Sequence, residues 1–117
     1  MCVIVVEDEP LLRLIAVEML EDAGLHVVDF GNAADAIAYC DDAAHAVEAI
    51  ITDINMPGDL DGLDLARHVI ATRPETGVVV TSGRYGCLPP PGIKGVTFLR
   101  KPWTSARLIG ALDDLHL

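Results

Sequence analysis

Val47–Pro57 reads VEAIITDINMP. An apolar run, with Glu48 inside it, stops at Asp53, and Ile54, Asn55, Met56, Pro57 and Gly58 follow as turn material. A short apolar run that ends in turn residues marks a buried parallel strand whose end opens onto a loop. In open α/β sheets that end is where ligands bind. Asp53 therefore stands where a carboxylate can do chemistry. Taken alone it has a plainer reading, as the Asp that starts the turn before the next helix. The rest of the chain decides between the two.

Working outward, the same unit recurs. Cys2–Val6 (CVIVV) is an apolar, β-branched run that reads as a fully buried strand and breaks at Glu7, Asp8, Glu9 and Pro10. Pro10 suits the first turn of a helix, and acids just before it favour the positive end of the helix dipole. Leu12, Ile15, Ala16, Met19, Leu20 and Ala23 then recur at helical spacing, and Gly24 supplies a C-cap. Leu25–Phe30 predicts a second, more polar edge strand. Asn32 caps a helix through Ala33, Ala34, Ile37 and Ala38 that fades at Asp41–Asp42. The stretch around Asp53 is the third strand, Val47–Thr52. Asp61 starts the next helix, with Gly62, Leu65, Ala66, Val69 and Ile70 on one face, and Pro74 and Gly77 end it. Gly77–Thr81 is the fourth strand and stops at Thr81, Ser82 and Gly83. Arg84–Gly95 holds Pro89, Pro90 and Pro91, so a helix there is short or missing. Val96–Leu99 is the fifth strand. Arg100, Lys101, Pro102 and Trp103 follow, and Thr104 or Ser105 caps a final helix that buries Leu108, Ile109, Leu112 and Leu115. Alternating βα units of this length predict a doubly wound α/β fold, a five-stranded parallel sheet with helices on both faces.

Composition bounds the function. The 117 residues form one domain, 1–117, by the length prior. Eighteen acidic residues against eight Lys and Arg give a net charge of −10. That excludes a nucleic-acid surface and an anionic membrane, and it suits a basic partner or a cation. No apolar stretch approaches a membrane span, and no signal peptide is read at the N-terminus. Cys2, Cys40 and Cys87 are odd in number and widely spaced, with no zinc pattern, which points to the reducing cytoplasm. His26, His45, His68 and His116 are scattered and read as surface or packing residues.

Four strand ends carry polar residues: Glu7 and Asp8, then Asp53, then Thr81 and Ser82, then Lys101. In a parallel sheet all of these face one edge. Carboxylates crowded together repel unless a cation sits among them, and Mg²⁺ is the natural one, since it takes one or two carboxylates plus waters and phosphate oxygens. Lys101 then serves as a point charge for a phosphoryl group, Thr81 as a hydrogen-bond donor to it, and Asp53 as a carboxylate nucleophile. Each residue has a plainer reading: Glu7 and Asp8 as helix-start acids, Lys101 as a surface lysine, Thr81 as a strand residue, Phe98 as core. All would have to hold at four strand ends together.

VVEDEP, DINMP, VVTSG and FLRKPW, in that order and spacing, resemble the receiver domain of bacterial two-component response regulators, nearly end to end. The resemblance implies a flavodoxin-like strand order 2-1-3-4-5. It also implies a signalling domain, not an enzyme, that assists only its own phosphorylation and dephosphorylation. Asp53 would be the phosphoacceptor, served by a phosphohistidine on a sensor histidine kinase or histidine phosphotransfer protein. Glu7, Asp8, Asp53 and the backbone carbonyl of Asn55 would hold Mg²⁺. Thr81 and Phe98 would form the switch, Pro102 would follow Lys101, often through a cis peptide bond, and Ser82 would leave the phosphoryl site accessible. A monomer or a weak phosphorylation-dependent dimer is expected.

Three departures stand out. The Pro57–Gly62 loop, PGDLDG, is one residue longer than the usual pattern. The Pro-rich Cys87–Gly92 patch falls where the pattern puts its fourth helix. Leu117 follows the final helix directly, which suits either a stand-alone receiver or a fragment of a longer regulator. Two rivals remain at this stage. A haloacid-dehalogenase-type phosphatase also uses a strand-end Asp with Mg²⁺, but it wants a second acid where Asn55 stands. A receiver-fold module that binds protein without phosphorylation is the other.

Overall fold

The computed structural model describes residues 2–54, 56, 58–82, 96–101 and 104–114. Strands β1 (Cys2–Val6), β2 (His26–Phe30), β3 (Ala49–Asp53), β4 (Gly77–Ser82) and β5 (Val96–Arg100) form one sheet in the order β2-β1-β3-β4-β5. Every pairing is parallel. Helices α1 (Pro10–Asp22), α2 (Ala33–Asp41), α3 (Gly62–Thr72) and α4 (Ser105–Asp114) connect and flank the strands. The strand order and the doubly wound class match the expectation. The expectation of a short or missing helix between β4 and β5 falls on residues 83–95, outside the described residues.

The two faces of the sheet carry separate cores. Ile4, Val6, Ile50, Val78 and Val80 pack under α2 and α3, against Ala33, Ala36, Cys40, Leu65, Ala66 and Val69. Val3, Val5, Ala49, Ile51, Val79 and Leu99 pack under α1 and α4, against Ala16, Leu20, Leu108, Ala111 and Leu112. Alternate residues of each strand serve opposite faces, so the central strands must be apolar on both. The all-buried β3 meets that demand, and the half-exposed β2 is an edge. Among the described residues no helix is long and apolar enough to cross a membrane.

Local signals place most element ends. Pro10 opens α1, and Gly24, with φ at +88°, closes it by donating to the Glu21 carbonyl while Leu25 reaches back to Leu20. Asn32 caps α2 by accepting from the Asp35 N–H at 2.8 Å. Thr104 caps α4, its hydroxyl accepting from the Arg107 N–H at 3.2 Å. The finer detail departs from expectation in places. β3 starts at Ala49 and takes in Asp53, because its ladder with β4 continues through the pair Asp53–Thr81. α2 buries Ala33, Ala36 and Cys40, while Ala34 and Ala38 face solvent. Alanines fit either face, so the larger Cys40 and the groove over Ile4, Val6 and Val47 set the rotation of α2. Ala23, expected on the apolar stripe of α1, is its exposed C-cap. Leu108 and Leu112 are buried as expected, and Leu115 lies outside the described residues.

Candidate functional site

The carboxyl edge of the sheet gathers the acids as expected. Glu7, Asp8 and Asp53 each offer a carboxylate oxygen, and these oxygens lie within 4.8 Å of one another. Lys101, the residue after β5, sits between two of them. Its ammonium is 3.0 Å from Glu7 Oε2 and 3.2 Å from Asp53 Oδ2. Glu7 and Asp53 are 6% and 8% exposed, whereas Asp8 stands in solvent. Two buried carboxylates thus share one lysine, and the third is open on the solvent side.

The electrostatics follow from that crowding. Burial pushes the Glu7 carboxyl above the usual carboxylate range, and the Asp53 charge adds to the push, against the hydrogen bond from Lys101. For Lys101, burial acts to lower the ammonium pKa, but the hydrogen bond to Glu7 and the charges of Asp53 and Glu7 outweigh it and raise it. The ammonium is therefore firmly charged at neutral pH. A hard divalent ion fits this donor set of clustered carboxylate oxygens with one face open to water.

The backbone around Asp53 is held from several sides. The Ile54 N–H donates to Asp53 Oδ1 at 2.8 Å and to the Thr81 carbonyl at 3.2 Å. The Thr52 hydroxyl, fully buried, donates to the Asp53 carbonyl at 2.9 Å. The start of α3 presses on the same peptide. The Gly62 N–H donates to the Ile54 carbonyl at 2.9 Å. A β-carbon on Gly62 would lie 1.8 Å from the Asp53 carbonyl oxygen. Asp61 Oδ1 accepts from the Leu63 and Asp64 N–H groups, and Asp64 returns the bond to the Asp61 N–H, a full capping box. These donors are spent inside the protein, so the α3 terminus is not an anion site.

The remaining expected residues fall as follows. Thr81 pairs with Asp53 across the β3–β4 ladder and is 2% exposed; its hydroxyl donates to the Thr52 carbonyl over a long 3.4 Å. Phe98 on β5 is half-buried against the core under α2 and α3. Asn55 and Pro102 lie outside the described residues. Sequence reasoning missed Thr52 and the packing role of Gly62. Thr52 carries no local signal, since a strand threonine is common. Gly62, read only as a helix-face position, did carry one: a glycine at the first turn of a helix, where propensity disfavours it.

Comparison with known proteins agrees with this geometry. The family model for the response regulator receiver domain matches residues 3–113. The transcriptional regulatory protein AruR of Pseudomonas aeruginosa is 38% identical over 85 residues, which is 70% of this chain and 34% of AruR. The chain thus spans about a third of that relative's length. A crystal structure of a response regulator receiver protein from Sinorhizobium medicae superposes with a TM-score of 0.86 at 29% identity, covering 97% of this chain and 92% of that one. The response regulator protein TrrA of Thermotoga maritima, solved in complex with Mg²⁺-BeF, shares the fold with a TM-score of 0.87 at 20% identity, over 97% of each chain. The phosphatase reading of the strand-end Asp gives way to this match over nearly the whole chain. With its strand order, its edge cluster of acids and lysine, and that match, the chain belongs to the response regulator receiver domain family.

Proposed function

We propose that the protein is the phosphoacceptor receiver of a two-component system, taking a phosphoryl group from a partner phosphohistidine onto Asp53 and switching its protein-binding surface in response. The observation that carries this reading is the buried Asp53 carboxylate, 3.2 Å from the Lys101 ammonium and clustered with Glu7 and Asp8. A buried Asp kept for structure alone needs a counter-charge but no further acids clustered beside it. A carboxylate nucleophile that must meet an anionic phosphoryl group needs both, because the approach is repulsive without fixed positive charge and the further acids can hold a cation.

Asp8, Glu7, Asp53 and the Asn55 carbonyl would hold Mg²⁺, which supplies charge neutralisation for the phosphoryl oxygens. TrrA, with its Mg²⁺-BeF, supports that assignment by fold. In the transfer, an Asp53 carboxylate oxygen attacks phosphorus and the P–N bond breaks, with its electron pair left on the imidazole nitrogen. Lys101 shifts from the Asp53 carboxylate to a phosphoryl oxygen. Thr81 exchanges its long bond to the Thr52 carbonyl for a phosphoryl oxygen, and Phe98, on the neighbouring strand, responds to that movement. The domain acts only on its own phosphoryl group and works as a cytoplasmic signalling module. Its donor is a sensor histidine kinase or a histidine phosphotransfer protein, met without nucleic acid or membrane.

The test is intact-mass spectrometry after incubation with a small acyl-phosphate donor, with and without Mg²⁺, on wild type and Asp53→Asn. A single phosphoryl adduct that needs both Mg²⁺ and Asp53 is expected. A folded wild type that takes no adduct, or an Asp53→Asn variant that takes the same one, would refute the assignment.

A further inference from the structure

We propose that Arg13 is a positioning residue for Mg²⁺ binding: its guanidinium clamps the Glu7–Asp8 peptide from a slot that Gly31 keeps open. This rests on the receiver reading above. Arg13 lies on α1, in the stretch of sequence that reads as an ordinary amphipathic helix, and it touches none of the clustered carboxylates. Its Nη1 instead donates to the Glu7 backbone carbonyl at 3.1 Å, while its Nε pairs with Asp29 Oδ2 at 3.1 Å. Asp29 belongs to β2, so the guanidinium ties the end of β1 to the neighbouring edge strand.

Every group of Glu7 is then fixed. Its N–H donates to the Phe30 carbonyl, its carbonyl accepts from Arg13, and its carboxylate takes Lys101 and the Glu9 N–H. The carbonyl of Glu7 and the N–H of Asp8 share one peptide plane. Holding that carbonyl therefore sets the direction in which Asp8 leaves the strand. Asp8 needs this, because its exposed carboxylate has no hydrogen bond or ion pair of its own among the described residues. The planar fork of arginine suits the task, reaching a carboxylate and a carbonyl from two nitrogens at once. Asp29 also offsets the positive charge, so the clamp does not oppose a metal ion nearby.

Gly31 makes the slot. A β-carbon there would meet Arg13 Nη1 at 2.6 Å and Cζ at 3.7 Å, with no other atom within 4 Å. Its φ is not in the left-handed region, so alanine fits the backbone. Gly31→Ala thus displaces the guanidinium without altering Arg13 itself, which gives two independent ways to remove one contact.

The experiment measures the Mg²⁺ Kd by calorimetry on metal-free wild type, Arg13→Met, Gly31→Ala and the double variant. It also measures the rate of acyl-phosphate phosphorylation against Mg²⁺ concentration, and the metal-free Tm. Residues that orient metal ligands typically change affinity about 10–100-fold, and Arg13 is partly exposed, so about tenfold weaker binding is expected in each single variant. The maximal rate at saturating Mg²⁺ should stay near wild type. The double variant should lose no more than Arg13→Met, because both substitutions remove the same contact. A Kd within about twofold of wild type in Gly31→Ala, or losses that multiply in the double variant, would overturn the clamp. A wild type that binds no Mg²⁺ at all would instead overturn the receiver reading, and the clamp with it.

Discussion

Gly62→Ala should injure both the fold and the site, and the structure sets the size of the effect. The added β-carbon would lie 1.8 Å from the Asp53 carbonyl oxygen, 2.7 Å from its carbon and 3.0 Å from the Ile54 Cα. Real β-carbons essentially never come within 3.0 Å of such atoms, so the Asp53 peptide and the start of α3 must separate by at least the missing 1.2 Å. All three are backbone atoms in a close-packed region, so no flexible side chain can yield. Overpacking of this kind costs about 1–3 kcal/mol or somewhat more. Alanine regains less than about 1 kcal/mol of helix propensity, since residue 62 is only the first position of α3. A net loss of about 1–3 kcal/mol should lower Tm by roughly 4–12 °C in a domain of this size. Phosphorylation should suffer beyond that, because about 1 Å of misplacement at a reacting group can cost on the order of 100-fold in rate. Gly110→Ala on α4 is the matched control: its β-carbon would meet nothing within 4 Å. It should leave the rate unchanged and gain roughly 0.5–1 kcal/mol. Thermal melts and intact-mass kinetics on both variants decide the matter. A Gly62→Ala protein that melts within about 2 °C of wild type and phosphorylates at the same rate would refute the packing argument.

Two further outcomes follow from the charges and the cores. Lys101→Met leaves Glu7 buried without its cation; one-sided loss of a buried pair costs about 3–5 kcal/mol, discounted here to about 2–3 because Lys101 is part-exposed. The Glu7 carboxyl, already raised by burial, should rise further, so the folded state would bind a proton that the unfolded chain has released, and stability should fall as pH climbs through that window. Urea melts of metal-free protein should therefore show a deficit at neutral pH that shrinks toward acid, and an equal deficit at both ends would exclude the pairing as its cause. Burial pushes both thiols up, but Cys40 is only 3% exposed and Cys2 is half-buried, so native protein should alkylate at Cys2 before Cys40, as read by peptide mapping. Cys40 labelled as fast as Cys2 under native conditions would contradict the packing of α2.

The sheet was legible because each central strand is a β-branched run punctuated by turn residues, and parallel strands can only end at a common edge. Placing Asp53 and Lys101 there needed no tertiary information beyond that rule. The buried face of α2 was not legible, because its apolar positions were mostly alanines, which carry too little volume to choose a side. Arg13 was invisible for a different reason. Its partners, the Glu7 carbonyl and Asp29, come together only when β2 lies beside β1, and no spacing along α1 announces that. Thr52 is similar, since its value lies in a hydroxyl turned to its own neighbour's carbonyl. The expectations for Asn55, Pro102 and the Pro-rich stretch fall outside the described residues.

The contact between Glu7 and Lys101 joins residues 94 positions apart in the chain. A ribosome working at roughly 5–20 residues per second makes Lys101 some 2–10 s after Asp53. During that interval the nascent chain holds its three acids without Lys101 to reconcile them. The last strand therefore does more than complete the sheet. It delivers the counter-charge that lets Glu7 and Asp53 be enclosed, so this edge closes late in folding. A chain stalled before residue 101 would keep its acids wet, and under the proposed function it would take up no phosphoryl group.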